Sequence, residues 1–141
     1  MDNSNSEQDD IYSVLWDPPI LIVDDEEGLR NILSSRLSKL GFKVEVAATG
    51  LHGLQKIKAG FNPHLIICDV KMPGLNGLDF CRDLRKLKPD HDIPIMLITA
   101  YPERDVLAKT KALGIKSILV KPFSFQDIFT RIVTVCKAIR A

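Results

Sequence analysis

The sequence predicts an α/β protein: a (βα)5 chain with one parallel five-stranded sheet, doubly wound with helices on both faces. Five short apolar runs recur along the chain, and the segments between them have helical periodicity. The runs are apolar throughout rather than alternating, which is typical of strands buried on both faces. Five strands are too few for a closed eight-stranded barrel. We therefore expect an open sheet in the flavodoxin-like order 2-1-3-4-5.

The five apolar runs mark the expected strands. Their starts are separated by 24, 21, 30 and 23 residues, which leaves room for one helix between neighbours. The runs are Ile20–Val23, Val44–Ala47, Leu65–Cys68, Ile95–Ile98 and Ile118–Val120.

Each interval carries a helical pattern with apolar residues on one face. The residues expected to end the first four helices are Gly41, Gly60, Pro89 and Gly114. The apolar positions are Leu29, Ile32, Leu33, Leu37 and Leu40 in the first helix, Leu51, Leu54 and Ile57 in the second, Leu78, Cys81, Leu84 and Leu87 in the third, and Val106, Leu107 and Leu113 in the fourth. The last helix is expected to begin with a capping box formed by Ser124 and Asp127.

Composition argues for one soluble globular domain. The chain has 141 residues, 45% of them hydrophobic and 26% charged, with a formal net charge of +1. The apolar runs are far too short to span a bilayer, and the first residues lack the basic start and apolar stretch of a signal peptide. The three cysteines are odd in number and show no CxxC spacing, so we interpret them as reduced, buried and structural in a cytoplasmic protein.

The charge divides the chain into an acidic tail, residues 1–17, and a domain, residues 18–141. The tail holds five acidic residues and no Lys or Arg, which leaves 19 basic against 13 acidic residues in the domain. The basic residues are scattered and form no dense run, so we expect no direct nucleic acid binding and no membrane association. The tail also carries Ile11, Tyr12, Val14, Leu15 and Trp16. Packing on the domain, docking of a partner and an extension with little order all remain open for it.

Polar side chains stand where four of the five apolar runs end. The first run ends in Asp24-Asp25-Glu26, the third in Asp69, the fourth in Thr99 and the fifth in Lys121. Taken singly, each has a simpler interpretation as a turn residue, a helix cap or a surface charge. Because open parallel sheets bind ligands at the carboxyl ends of their strands, the set together favours a functional site.

Carboxylates brought close together repel one another unless a cation intervenes. Mg²⁺ suits oxygen ligands of this kind. A zinc site is disfavoured because Cys68 is the only His or Cys at a strand end, and its side chain should point away from that of Asp69. Once the charge is offset, an aspartate can attack phosphorus and form an aspartyl phosphate, while Lys121 and Thr99 contact the phosphoryl oxygens.

Four segments resemble the signature blocks of the receiver domains of response regulators in two-component signalling. They are Ile20–Glu26, Leu65–Gly77, Ile98–Ala100 and Lys121–Phe123, in that order along essentially the whole of residues 18–141. The resemblance implies a regulatory phosphoacceptor rather than an enzyme. A sensor histidine kinase or a histidine phosphotransfer protein would supply the phosphoryl group. The resemblance also implies a downstream protein target that binds the 103–141 face, and it allows a phosphorylation-dependent homodimer.

The resemblance assigns roles by position. Asp69 would be the phosphoacceptor, and Thr99 and Lys121 would contact the phosphoryl group. Mg²⁺ would be held by Asp24, Asp25, Asp69 and the backbone carbonyl of Lys71. The small Ala100 would leave room for access, and the peptide bond before Pro122 would be cis.

The sequence departs from the family pattern at several positions. Ile118 stands where the family usually has an aromatic residue, so the usual coupling between threonine and aromatic rotamer is not expected. Leu75 and Asn76 replace the more frequent Met and Asp, both mild changes. Lys71 and Tyr101 lie two residues past Asp69 and Thr99, and we expect them to tune how long the phosphate lasts.

Three alternative functions agree less well with the sequence, and one of them, a phosphatase, would use the same aspartate chemistry. A phosphatase of the haloacid dehalogenase type would need DxDx[TV] after the first strand, which Asp24–Glu27 does not supply. A flavin- or nucleotide-binding domain would need a Gly- or Ser/Thr-rich loop there, and the carboxylates would repel a phosphate. A receiver-like interaction module that acts without phosphorylation ranks below the leading hypothesis, because the acceptor, the acidic pair, Thr99 and Lys121 are all present. Both a stand-alone receiver and the receiver piece of a longer protein remain open.

Overall fold

The computed structural model describes residues 19–72, 74–115 and 117–140, with the side chains of 138–140 left out. The predicted acidic tail, residues 1–17, lies outside the described residues. The strands are β1 (Pro19–Val23), β2 (Lys43–Ala47), β3 (Leu65–Asp69), β4 (Ile95–Thr99) and β5 (Ser117–Val120). The helices are α1 (Glu27–Lys39), α2 (Gly50–Lys58), α3 (Gly77–Leu87), α4 (Arg104–Ala112) and α5 (Phe125–Arg140).

The strands form one parallel sheet in the order β2-β1-β3-β4-β5, which confirms the predicted fold. Val23 pairs with both Ala47 and Cys68, and Asp69 pairs with Ile98. All strands therefore end at one edge of the sheet, here called the carboxyl edge, and begin at the opposite edge, here called the amino edge.

Successive strand residues point to opposite faces of the sheet, and both faces are covered. One layer consists of α2, α3 and α4 and packs on Leu21, Val23, Ile66, Cys68 and Leu97. The other consists of α1 and α5 and packs on Ile20, Ile22, Leu65, Ile67, Met96 and Ile98. The two cores bury both faces of β1, β3 and β4, and these are the strands that lead to Asp24, Asp69 and Thr99.

Some predicted apolar faces were too broad. Ile32, Leu51 and Leu107 are 55%, 59% and 43% exposed, although the periodicity assigned them to buried faces. In α1 the stripe Leu29, Leu33 and Leu37 faces the sheet, and Ile32 lies about 100° away at its margin. The strands at the sheet ends, β2 and β5, are also only partly covered, because each pairs with a single neighbour.

Other local predictions are confirmed. Gly41 follows α1 with φ 102°, and the Phe42 N–H donates to the Leu37 carbonyl, which closes the helix end. Ser124 and Asp127 form a reciprocal capping box, with N···O distances of 3.0 and 3.1 Å. The three cysteines are buried and free. Within the described ranges, no helix has the length and apolar character needed to cross a membrane.

Candidate functional site

Backbone hydrogen bonds align the ends of neighbouring strands at the carboxyl edge. The Asp24 N–H donates to the Ala47 carbonyl at 3.1 Å, and the Lys121 N–H donates to the Thr99 carbonyl at 2.8 Å. The Lys121–Pro122 peptide bond is cis, as the resemblance implied. The polar residues that follow β1, β3, β4 and β5 therefore lie along one short stretch of the sheet edge.

Three carboxylates converge there. Oxygen atoms of Asp24, Asp25 and Asp69 lie within 4.8 Å of one another. Asp24 and Asp69 are buried, with 1% and 4% exposed, whereas Asp25 is exposed. A cluster with two desolvated members and one open to solvent has the donor set that a hard divalent cation prefers.

Asp24 is the least satisfied group of the cluster. Its Oδ1 accepts a 2.8 Å hydrogen bond from the Glu26 N–H, but its buried Oδ2 has no hydrogen-bond partner among the described residues. Burial raises the pKa of Asp24 from 3.8 to about 6; the Glu26 N–H opposes this rise, and the nearby Asp69 charge adds to it. An unpartnered buried carboxylate oxygen costs free energy, which a bound cation would offset.

Lys121 crosses the site from the end of β5 and binds two carboxylates. Its Nζ lies 3.0 Å from Asp69 Oδ2 and 2.8 Å from Glu26 Oε1. Partial desolvation lowers the pKa of Lys121, but the hydrogen bonds that its ammonium group donates to Glu26 and Asp69 outweigh this effect, so the pKa lies above its usual range. The sequence-based interpretation placed Lys121 beside Asp69 but missed Glu26 as its second partner, because that contact joins residues 95 positions apart.

The loops after β3 and β4 meet above the cluster. The Lys71 N–H donates to Asp69 Oδ1 at 3.2 Å, and Lys71 Nζ lies 4.7 Å from the centroid of the Tyr101 ring. Thr99 is 3% exposed, and its Oγ1 accepts a hydrogen bond from the Tyr101 N–H at 3.1 Å. Lys71 and Tyr101, which the sequence pattern singles out together, therefore contact each other beside Asp69 and Thr99.

Gly77 fixes the backbone of Asp69 from behind. Its N–H donates to the Val70 carbonyl at 2.8 Å, and a Cβ at this position would overlap the Asp69 carbonyl and lie 2.9 Å from Val70 Cα. The next helix starts here because the Asn76 side chain accepts a hydrogen bond from the Asp79 N–H at 2.9 Å. Spacing alone does not reveal this close approach; a glycine at the first position of a helix is its only signal in the sequence.

Ile118 lies away from this cluster on β5. Its side chain is partly buried, and its carbonyl accepts a 2.9 Å hydrogen bond from Arg131 Nη1 of α5. An arginine on the covering helix thus satisfies a carbonyl of a strand that has only one neighbour in the sheet.

The chain resembles known proteins over most of its length. A family model described as the response regulator receiver domain matches residues 20–133. The chain is 41% identical over 123 residues to the probable transcriptional regulator ycf27 of Cyanidium caldarium, which covers 86% of this chain and 47% of that protein. It is 35% identical over 109 residues to the sporulation initiation phosphotransferase F of Bacillus subtilis (strain 168), which covers 77% of this chain and 86% of that protein.

Solved structures share the fold. The chemotaxis protein CheY4 of Vibrio cholerae superposes with a TM-score of 0.79 at 30% identity, covering 84% of this chain and 98% of that one. The receiver domain of the Francisella response regulator 1452 superposes with a TM-score of 0.77 at 24% identity, covering 87% and 99%. The chain spans about half the length of the ycf27 proteins that it matches.

Proposed function

The chain belongs to the response regulator receiver family, and on this premise we propose that it is a phosphorylation-dependent signalling switch that accepts a phosphoryl group on Asp69. One observation carries the assignment. The buried Asp69 carboxylate lies 3.0 Å from the Lys121 ammonium and within 4.8 Å of Asp24 and Asp25. A nucleophile, a fixed cation and an acidic pair thus share one edge of the sheet.

In the proposed reaction, one Asp69 carboxylate oxygen attacks the phosphorus of a phosphohistidine on the donor protein. A P–O bond forms as the P–N bond breaks, and the electron pair stays on the departing imidazole nitrogen. Because the transferring group carries its charge on its equatorial oxygens, catalysis depends on cations and hydrogen-bond donors already in place. Lys121 supplies the positive charge, and Glu26 holds its ammonium group when the charge on Asp69 changes. The Thr99 hydroxyl donates to the Tyr101 carbonyl at 3.2 Å in this structure, and on phosphorylation it would turn to donate a hydrogen bond to a phosphoryl oxygen, while the small Ala100 leaves access open.

The residues fit a magnesium ion. The proposed ligands are Asp24, Asp25, Asp69 and the backbone carbonyl of Lys71, and the unpartnered Asp24 Oδ2 is the observation that favours a cation. When bound, Mg²⁺ would neutralise charge on the carboxylates and the phosphoryl oxygens. The chain's own contribution is to hold Asp24 and Asp69 desolvated and close together while Asp25 stays open to solvent.

The proposed partners follow from this chemistry. The donor would be a cytoplasmic sensor histidine kinase or a histidine phosphotransfer protein. The output would be a protein target, or a second copy, that binds the face formed by residues 103–141. Leu107 and Val120 expose apolar surface on that face, 43% and 44% of each residue. The long-range link to Asp69 is Lys121, which directly follows Val120.

Intact-mass spectrometry after incubation with acetyl phosphate tests the proposal. We expect one phosphoryl adduct that requires Mg²⁺ and is lost in Asp69→Asn. The matched control is Asp105→Asn, which removes an exposed carboxylate of α4 and should label like the wild type. Labelling of Asp69→Asn at the wild-type rate would refute the acceptor assignment. No adduct on the wild type, while a known receiver labels alongside it, would favour the module that acts without phosphorylation.

A further inference from the structure

A second cleft lies at the amino edge of the sheet, opposite Asp69. It has a volume of about 380 Å³ and is lined by the segments that lead into β3 and β4, residues 62–64 and 90–94. Pro63 and Ile93 are buried and form its apolar part, whereas Asn62 and His91 are exposed at its rim. The volume falls within the roughly 300–1,000 Å³ of clefts that bind small ligands.

The N-terminal tail joins the domain at the wall of this cleft. The His64 N–H, in the cleft lining, donates to the carbonyl of Pro19 at 2.8 Å, and Pro19 is the first described residue. Trp16 precedes Pro19 by three residues, so its Cα lies within roughly 11 Å of Pro19. A tether this short gives an effective concentration on the order of millimolar, so even a weak contact would be occupied.

The charge of the amino edge complements that of the tail. Because each of the first four helices runs back from the carboxyl edge, all four end at the amino edge, and each has two basic residues in its last turn. These are Arg36 and Lys39, Lys56 and Lys58, Arg85 and Lys86, and Lys109 and Lys111. Lys56 pairs with Glu45 and Arg85 with Asp92, while the five other lysines have no ion-pair partner in the described part of the chain. The tail offers five acidic side chains and no basic one.

We propose that the amino-edge cleft is the docking site of the chain's own N-terminal tail, with Leu15 and Trp16 against Pro63, Ile93 and Pro94. The acidic residues that precede Leu15 then lie among the basic residues at the helix ends. The negative charges on the cleft rim, Asp90 and Asp92, oppose the acidic residues of the tail, including Asp17 next to Trp16, and Arg85 offsets Asp92 at 3.6 Å. The indole is the largest apolar group of the tail and the one held nearest to the cleft.

Another groove, of about 280 Å³, lies between α3 and α4 and is lined by Leu78, Arg82 and Lys109 among others. It lacks the connection through Pro19. Its charge is also partly cancelled, since Arg82 pairs with Asp79 at 3.3 Å and with Asp83 at 3.7 Å. It therefore serves as the alternative location in the test.

Amide chemical shifts of the full-length chain locate the contact. Trp16→Ala should move the amide signals of Asn62, His64 and residues 90–93. Tyr12→Ala, which also removes an aromatic ring but lies farther in sequence from Pro19, should move them much less. Shifts centred on Arg82 and Lys109, or no shifts in the domain, would overturn the proposal.

Fluorescence provides an independent test, because Trp16 is the single tryptophan of the chain. In the docked tail its emission lies at shorter wavelength than that of a free tryptophan amide, and acrylamide quenches it several-fold less. Asn62→Glu, which puts a charge on the cleft rim, should move both values towards those of the free amide. Asn31→Glu, the same substitution on exposed α1, should leave them unchanged. Wild-type values equal to those of the free amide would contradict docking.

Discussion

The carboxyl and amino edges of the sheet are built from the same strands, yet they differ in how their charges are placed. At the carboxyl edge two carboxylates, Asp24 and Asp69, are almost completely buried. At the amino edge the basic charges lie in the last turns of α1–α4, and the acidic residues of the cleft rim, Asp90 and Asp92, are exposed. Basic residues stabilise helix C-termini, so this second pattern has an ordinary structural cause. No such rule accounts for a buried carboxylate, which costs free energy unless something binds it. Buried charge therefore distinguishes a site of chemistry from a charged surface.

The largest expected effect comes from disturbing the backbone beneath Asp69. Gly77→Ala would place a methyl group against the Asp69 carbonyl and 2.9 Å from Val70 Cα, so β3 or α3 must shift. We expect the free energy of unfolding to fall by about 3 kcal/mol, a magnitude typical of overpacking, and phosphorylation to slow because Asp69 moves. Urea denaturation and acetyl phosphate labelling measure the two effects.

The matched control is Gly28→Ala in α1, where an added Cβ has no atom within 4 Å. Alanine is the better helix former, so this variant should be as stable as the wild type or more stable by up to about 1 kcal/mol. Equal stability of both variants would contradict the close contact behind Asp69.

The next effect is the pH dependence that buried Asp24 confers. Its pKa is about 6 in the folded protein and 3.8 as the reference value for the unfolded chain. Between these values the folded state binds more protons, so the free energy of unfolding falls as pH rises, and above pH 6 the loss is complete. Without divalent cations, Asp24→Asn should remove this loss of roughly 3 kcal/mol. Urea denaturation at pH 4 and pH 7.5, each with a chelator, compares the two proteins.

Asp25→Asn provides the control for this pH effect, because Asp25 is exposed and its removal leaves Asp24 buried. The Asp25 variant should keep most of the wild-type pH dependence. Saturating Mg²⁺ should reduce the difference between wild type and Asp24→Asn, since the ion binds the ionised carboxylate. An identical pH dependence in wild type and Asp24→Asn would contradict desolvation of Asp24.

The sequence was sufficient to predict the sheet order and the edge at which the candidate site residues converge, because the three central strands are apolar and each is followed by or ends at a polar residue. The sequence was insufficient to predict burial and contacts that depend on the direction in which a side chain points. Ile32 and Leu33 are neighbours in one helical pattern, yet one is 55% exposed and the other 2%. The Lys121–Glu26 pair and the Lys71–Tyr101 contact depend on rotamers at the junction of distant segments, and no spacing rule reports them.

A smaller effect is expected for the exposed member of the acidic cluster. Asp25→Ala removes one of three carboxylates, so Mg²⁺ affinity should fall about tenfold or more, which corresponds to about 1.4 kcal/mol. Calorimetric titration with Mg²⁺ measures it. Glu27→Gln removes a neighbouring acid outside the cluster and should change the affinity much less. Unchanged affinity in Asp25→Ala would remove Asp25 from the set of ligands.

The smallest effect should come from the amino edge. Lys39 lies in the last turn of α1, on the sheet face opposite the α2–α4 layer, where its charge acts mainly on the helix end. Lys39→Gln should lower the free energy of unfolding by about 0.3–1 kcal/mol at low ionic strength, and salt should reduce the loss by screening. Urea denaturation at low and high salt measures this. The rate of acetyl phosphate labelling should stay at the wild-type value, because no buried charge changes. A slower rate in Lys39→Gln would mean that an exposed basic residue of the amino edge acts on Asp69. The distinction between buried charge at the carboxyl edge and exposed charge at the amino edge would then not predict which residues affect the chemistry.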